Sequence, residues 1–139
     1  MNYKIVGKYI KDLSFTIPST KTFFLLSKNI SNYKINIDIK SNQIEQNIIQ
    51  VLISLILKPV KDNFEKINTK IEYAVVVELI NSKVKKEEIE KIILVDVPSQ
   101  TYMEIRKIFI GLFENSGFKE MKVSEKVDFQ KLYQLKKSQ

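Results

Sequence analysis

The side chains that carry out most enzyme chemistry are absent from this chain or stand far apart in it. Its 139 residues include no histidine and no cysteine, which excludes Ser-His-Asp and Cys-His catalysis and the common zinc sites. The three glycines are isolated, so there is no glycine-rich phosphate-binding loop. The carboxylates of Glu87, Glu88 and Glu90 lie among lysines, which is typical of a solvated helix face rather than an acid–base pair. The sequence therefore predicts a protein that is not an enzyme.

The chain is basic, with 23 Lys and Arg against 16 Asp and Glu and a formal net charge of +7. Such a charge is compatible with nucleic acid or an anionic membrane as partner. The lysines, however, are spread along the chain among acids, and Arg106 is the only arginine, whereas bidentate contacts to guanine and phosphate favour arginine. The pattern favours a solvated lysine surface without nucleic-acid binding, and a basic RNA-binding module stays as an alternative.

Length and hydropathy predict a single domain over residues 1–139, with 136–139 as a flexible tail. Hydrophobic residues make up 44% of the chain, enough for a packed core. The longest apolar run, 51–57, is interrupted by Ser54 and is too short to be inserted across a membrane. Residues 1–11 carry no signal-peptide pattern, and the lack of cysteine fits a reducing compartment. We therefore expect a cytoplasmic protein.

Alternation of apolar and polar residues predicts four strands, at about 3–17, 33–40, 48–57 and 71–79. In the first, Leu13 and Phe15 point one way and Asp12 and Ser14 the other. The third is apolar on both faces, which predicts a central position in the sheet. Each strand could pair antiparallel with its neighbour in sequence.

The connection at residues 18–32 is predicted to be a loop, because it is rich in Ser, Thr and Lys. It nevertheless contains the apolar run Phe23-Phe24-Leu25-Leu26. Apolar side chains in a long loop either fold back onto the core or line a binding surface.

After residue 85 the spacing of apolar residues becomes helical. A short helix is predicted at 85–94, and Pro98 is predicted to begin the main helix, with Thr101 and Glu104 as a capping box and Gly117 at its end. Its apolar stripe is formed by Tyr102, Ile105, Ile108, Phe109, Leu112 and Phe113, while Met103 and Ile110 lie off the stripe. A helix that is apolar around most of its circumference predicts burial between subunits.

A last, short helix is predicted after Asp128, with Phe129, Leu132 and Tyr133 on one side. Four strands followed by helices indicate an α+β fold, in which a long helix and a short C-terminal helix pack on one face of a four-stranded antiparallel sheet.

Several segments, in this order, resemble the SecB family of protein-export chaperones. The match runs from about residue 3 to residue 135, and its strength lies in the shared order of the motifs. The motifs are Tyr9, Asp12, Ser14-Phe15 and Pro18 in the first strand, Glu72-Tyr73-Ala74-Val75-Val76-Val77-Glu78-Leu79 in the last strand, Val97-Pro98-Ser99 through Arg106, Ser116-Gly117-Phe118, and Val127-Asp128-Phe129 through Leu132-Tyr133.

The resemblance implies a homotetramer, a dimer of dimers with the long helices between two sheets. It implies a holdase that binds unfolded precursor proteins, keeps them competent for translocation and delivers them to the SecA motor, without a cofactor and without insertion into the membrane. A SecB-like chaperone of a toxin–antitoxin system is the alternative within the fold, and a monomeric carrier of small ligands is the alternative outside it.

The resemblance also assigns roles to residues. It places the client-binding groove at Phe23, Phe24, Leu25, Tyr33, Phe129, Leu132 and Tyr133, the SecA contact at Asp12, Val76 and Glu78, and the oligomer interface at Val75, Val77, Leu79, Met103 and Ile110. The chain departs from the family at Thr16, where a second acid is usual, at Lys126, where a proline is usual, and in its basic net charge.

Overall fold

The computed structural model describes residues 2–30, 33–60, 67–81, 83–118, 123 and 125–137. The strands are β1 (Tyr3–Thr16), β2 (Tyr33–Glu45), β3 (Ile48–Pro59) and β4 (Asn68–Leu79). The helices are α1 (Thr20–Asn29), α2 (Lys86–Lys91), α3 (Val97–Asn115) and α4 (Phe129–Lys137), and a π-helical turn at Ile92–Asp96 joins α2 to α3. Residues 138–139 of the predicted tail lie outside the described residues.

The four strands form one antiparallel sheet in the order β1-β4-β3-β2. This confirms the predicted α+β class, with a long helix and a short C-terminal helix. The predicted pairing of β1 with its sequence neighbour β2 is wrong, because β1 pairs with β4 at the far side of the sheet. Strands β3 and β4 carry the most buried side chains, so they occupy the centre of the sheet. The segment between β1 and β2 is long enough for the chain to reach the opposite edge.

The core lies between the sheet and α3. Alternate residues of β3 and β4 point to this side, which we call the inner face; the opposite side is the outer face. Fully buried inner-face residues include Val51, Ile53, Leu55, Ile71, Val75 and Val77, and they pack against Ile105, Phe109 and Phe113 of α3. The register places Leu13 and Phe15 opposite inner-face residues of β4 and Asp12 opposite an outer-face residue, so the predicted faces of β1 are correct.

The predicted loop at 18–32 is wrong, because residues Thr20–Asn29 form α1. Ser19 caps the helix, and its Oγ accepts a hydrogen bond from the Thr22 N–H at 3.1 Å. Leu26 is 1% exposed and packs into the core. The polar residues of the segment therefore cap and solvate a helix that is buried at Thr22 and Leu26.

The main helix α3 begins at Val97 with Pro98 in its first turn, as predicted, but it has no separate N-terminus, because the helical chain runs on from α2 through the π-helical turn. The Thr101 hydroxyl donates to Val97 O at 2.8 Å, inside the helix, so it does not cap the N-terminus of α3. The predicted end is confirmed by the positive φ of 96° at Gly117. The predicted cap at Asp128 is confirmed too, since its Oδ1 accepts from the Lys131 N–H at 2.9 Å.

Candidate functional site

The inner face of β2 is an apolar surface that stays partly open. Strand β2 is an edge strand, and its inner-face residues Ile35, Ile37 and Ile39 are half-buried, whereas Val51, Ile53 and Leu55 of the neighbouring β3 are each 0% exposed. The difference arises because α3 packs over β3 and β4. What remains beside β2 is an apolar groove.

The groove contains a cavity of about 210 Å³ beside α4. It is lined by Ile37, Asp38, Ile39, Leu94, Phe129, Leu132 and Tyr133. An apolar cavity of roughly 150 Å³ is large enough for a benzene molecule. The groove can therefore take one leucine or aromatic side chain at this point.

Helix α4 forms the outer wall of the groove and is anchored mainly by Phe129. Phe129 is 3% exposed, and its ring centroid lies 5.9 Å from that of Tyr102. Tyr133 Oη donates to Glu90 Oε2 at 3.4 Å, which ties α4 to α2. Leu132, in contrast, is 49% exposed. Of the three predicted client-binding residues on α4, Leu132 and Tyr133 thus line the groove, and Phe129 mainly holds its wall in place.

The predicted client-binding residues of α1 separate into two kinds. Phe23 is half-buried, with its ring centroid 4.9 Å from that of Phe118, so it packs α1 onto the end of α3. Phe24 and Leu25 are 58% and 42% exposed. Neither of them lines the cavity beside α4.

Tyr33 is half-buried on the inner face and packs against the core with Ile35. It stands six residues from Ile39 on the same strand, which is about 20 Å at 3.3 Å per residue. Tyr33 thus lies at the start of β2, whereas α4 lies beside the middle of that strand, at Ile37 and Ile39. The sequence motifs did not point to Ile37, Ile39 or Leu94.

The predicted SecA-contact residues all lie on the outer face, but they are spread over it. Asp12 pairs in register with Glu72, which stands six residues before Glu78 on β4, about 20 Å along the strand. Glu78 forms an ion pair with Lys4 at 3.4 Å. Val76 lies between the two acids, beside the small residues Gly7 and Ala74.

A row of carboxylates crosses the outer face, and only the register reveals it. Asp12 is opposite Glu72, Glu72 is opposite Ser54, and Ser54 is opposite Asp38. Glu72 is ion-paired with Lys70, and hydrogen bonding to this ammonium lowers the pKa of the Glu72 carboxyl. The acidic row is therefore partly neutralised by lysine.

The predicted interface residues also divide into two groups. Val75, Val77 and Leu79 are 0%, 1% and 8% exposed inside the protomer, where they support α3. Met103 is 53% exposed on α3 and Ile110 is half-buried.

The inner side of β1 adds further exposed apolar residues near this helix, Ile10 and Leu13, at 44% and 42%. Their strand is joined to α3 by a polar contact that the sequence did not reveal. Lys8 Nζ donates to Glu104 Oε1 at 2.7 Å, and Tyr73 Oη donates to Glu104 Oε2 at 3.1 Å. The hydrogen bond from Lys8 is the main cause that lowers the pKa of the Glu104 carboxyl, while burial raises the pKa of Tyr73.

The described residues offer neither a metal site nor a membrane-spanning helix. They contain no cluster of three or more acidic, histidine or cysteine side chains arranged to hold a metal ion. Among the described helices, none has the length and apolar character needed to cross a membrane.

Comparison with known proteins gave consistent findings. A family model described as SecB, preprotein translocase subunit SecB, matches residues 1–139. A candidate protein-export protein SecB of Pelagibacter ubique is 39% identical over 132 residues, which cover 95% of this chain and 94% of the relative. Protein-export protein SecB 1 of Gluconobacter oxydans is 29% identical over 142 residues, which cover 95% and 80%.

Among solved structures, the fold is similar to that of the Mycobacterium tuberculosis SecB-like chaperone Rv1957, which was solved in complex with a ChAD peptide from the Rv1956 HigA1 antitoxin. The TM-score is 0.63 at 11% identity, and the match covers 91% of this chain and 88% of the other. At this level of identity the similarity concerns the fold.

Proposed function

The chain belongs to the SecB family of protein-export chaperones, and we propose that it is a cytoplasmic holdase that binds unfolded precursor proteins in the groove along β2. The observation that carries this proposal is the row of half-exposed isoleucines on an edge strand, next to a cavity of about 210 Å³. Unfolded chains expose apolar side chains, and a groove of this kind buries them without requiring a particular sequence motif.

The expected strength of each contact is modest. Burying one leucine or phenylalanine side chain contributes about 1.5–3 kcal/mol. The backbone of a client, by which we mean the bound unfolded protein, could also pair with the free edge of β2. Several grooves acting on one long client would raise the overall affinity through effective concentration, and a bound unfolded chain is less available for folding.

Assembly into a homotetramer, a dimer of dimers, would supply those several grooves. The exposed apolar residues Met103, Ile10 and Leu13 and the half-buried Ile110 support this, because they lie on α3 and the neighbouring β1, which Lys8 and Glu104 join, and exposed apolar patches mark protein–protein interfaces. We expect Met103→Asp to weaken the assembly, measured by light scattering after size exclusion, while Ile80→Asp, at a residue 60% exposed, leaves it intact. A wild-type monomer would contradict this part of the proposal.

Delivery to SecA would use the outer face, at Asp12, Val76 and Glu78. The lysine partners of the acids nearby reduce the negative charge that this face offers to a basic partner. We therefore expect docking to depend on the apolar centre around Val76 more than on charge. Val76→Asp should abolish SecA binding in a pull-down without changing client holding, and an unchanged pull-down would remove this surface from the proposal.

The alternatives carry different expectations. The relatives at 39% and 29% identity are named for protein export, which favours export over a toxin–antitoxin role. An RNA-binding module predicts affinity that falls steeply with salt, whereas holding through apolar burial predicts little salt dependence.

The deciding experiment is suppression of aggregation of an unfolded precursor. Leu132→Ser removes a groove residue that is 49% exposed, and Leu135→Ser changes a residue of the same helix that is 53% exposed and does not line the cavity. We expect the first change to weaken holding and the second to leave it near wild type. Equal holding by wild type and Leu132→Ser would exclude this groove, and no holding by wild type would refute the proposed function.

A further inference from the structure

The π-helical turn between α2 and α3 supplies one wall of the groove. The turn spans Ile92–Asp96, and the Val97 N–H donates to Ile92 O, five residues back instead of four. Turns of this kind are rare and occur frequently at functional sites. One residue of the turn, Leu94, lines the groove cavity.

Pro98 explains why the helix widens at this point. Proline has no N–H to donate, and in a regular α-helix its ring clashes with the carbonyl four residues back, which here belongs to Leu94. A wider turn relieves this clash, and the helix continues into α3. Pro98 is itself buried, so the core holds the ring where it forces the turn.

The wider turn also changes which side chains face the core. In a regular α-helix the residues three and four positions before Val97, Leu94 and Ile93, would share its buried face. The structure instead buries Ile92, at 3% exposure, and leaves Ile93 and Leu94 half-buried. One additional residue in a turn corresponds to a rotation of about 100° about the helix axis. This rotation accounts for the position of Leu94 in the wall of the groove.

The next residue of the turn fixes the opposite wall. Val95 is 7% exposed and packs with Tyr102 and with Phe129, the anchor of α4. Consecutive residues of a single turn thus line the cavity and hold the helix that closes it. A change in the turn would move both walls together.

We propose that this turn sets the size selectivity of the groove: Leu94 selects client side chains by size, and Pro98 is a positioning residue that acts through Leu94. The inference rests on the proposed function, because it concerns the same groove. A cavity of about 210 Å³ accepts leucine or phenylalanine, and Leu94 is one of the side chains that bound it. Shortening Leu94 enlarges this space, which favours larger client side chains.

The test uses three peptides that differ only in a central Leu, Phe or Trp, titrated against the full-length protein by fluorescence anisotropy. The Leu94→Ala variant should bind the Leu peptide about fivefold more weakly than wild type, which corresponds to ~1 kcal/mol. It should bind the Trp peptide as tightly as wild type or more tightly. The matched control is Leu112→Ala, at a half-buried residue of α3 outside the cavity, which should leave all three affinities unchanged.

Pro98→Ala restores the missing N–H donor and favours a regular helix. We expect all three peptides to bind at least about fivefold more weakly, with a melting temperature equal to or above that of wild type. A general structural defect would instead lower the melting temperature. If Pro98→Ala does fold poorly, the shift in the ratio of Leu to Trp affinities in Leu94→Ala still decides, because a loss of stability does not change selectivity by size.

Different results would overturn the inference about the turn and the proposed function. If wild type binds the peptides but neither variant changes the affinities or their ratio, the inference about the turn is overturned and the proposed function stands. If wild type binds none of the peptides, the proposed function fails, and the inference fails with it.

Discussion

Truncation of Phe129 should release α4 while leaving the rest of the fold intact. Phe129 is 3% exposed and is the buried anchor that packs α4 against Val95 and Tyr102. Phe→Ala changes at buried sites cost about 3–5 kcal/mol. Tyr133 packs against the same cluster and donates a long hydrogen bond to Glu90, worth about 0.5–1.5 kcal/mol. The change therefore removes the main buried anchor of α4 and should weaken the attachment of this helix.

The expected result is local unfolding measured by hydrogen exchange. A loss of ~3 kcal/mol corresponds to roughly a hundredfold or greater acceleration, and it should be confined to the amides of α4, because α3 is held by a separate cluster around Phe109. Holding of an unfolded precursor should fall as well, since the groove loses a wall.

Phe109→Ala serves as the control, because Phe109 is 0% exposed in the main core. It should accelerate exchange throughout the sheet and α3 and lower the melting temperature. If Phe129→Ala accelerates exchange in α3 and β3 as much as in α4, the reasoning that α4 is a separately attached wall is refuted.

Three further predictions concern positions outside the groove. Gly117→Ala should destabilise the protein by about 1–2 kcal/mol in urea unfolding, because Gly117 has a φ of +96° and an added Cβ would lie 3.2 Å from Phe23; an unchanged midpoint would contradict this. The lowered pKa of Glu104 means that its contact with Lys8 contributes stability above the ordinary value of 4.5 and loses it as the pH falls through the lowered pKa. Glu104→Gln should thus reduce stability at pH 7 and flatten its acid dependence, and an unaltered pH profile would exclude this role. Ser19→Ala should cost about 1 kcal/mol and speed hydrogen exchange in α1, whereas equal exchange would show that the cap contributes nothing.

The sequence predicted the local features of the fold well, because they depend on neighbouring residues. The alternation around Asp12 and Phe15 assigned the two faces of β1 correctly, and Gly117 and Asp128 were placed correctly at helix ends. The partner of β1 was predicted wrongly. Pairing depends on which strands bury the most apolar surface when they occupy the centre of the sheet. Alternation within β1 contains no information about that competition.

The errors in the helical parts have two different origins. Helix α1 was predicted as a loop because its Ser, Thr and Lys residues dominate the composition, although Ser19 followed by Phe23 and Leu26 has the spacing of a capped helix with a buried side. Leu94 was missed because a π-helical turn shifts the buried row by one position. A prediction that assumes the α-helical period throughout cannot place a side chain that follows a π-helical turn.

The residues of the candidate site came largely from the family resemblance and only partly from the pattern of residues. The resemblance pointed to Leu132 and Tyr133, which line the cavity, and to Phe23, which packs against Phe118. The alternation predicted a half-buried strand at 33–40, which contains Ile37, but it did not place Ile37 in a groove. Its partial exposure follows from the edge position of β2, and this becomes visible only when the strand order is known.

The most direct test of groove binding is photo-crosslinking from a single position in the groove. A benzophenone amino acid in place of Leu132, on the wall of the cavity, should crosslink an unfolded precursor and not the same protein after folding. The same group in place of Ile80, which is 60% exposed and does not line the cavity, should give no crosslink. Crosslinks of equal yield at the two positions, or none at Leu132, would contradict the account.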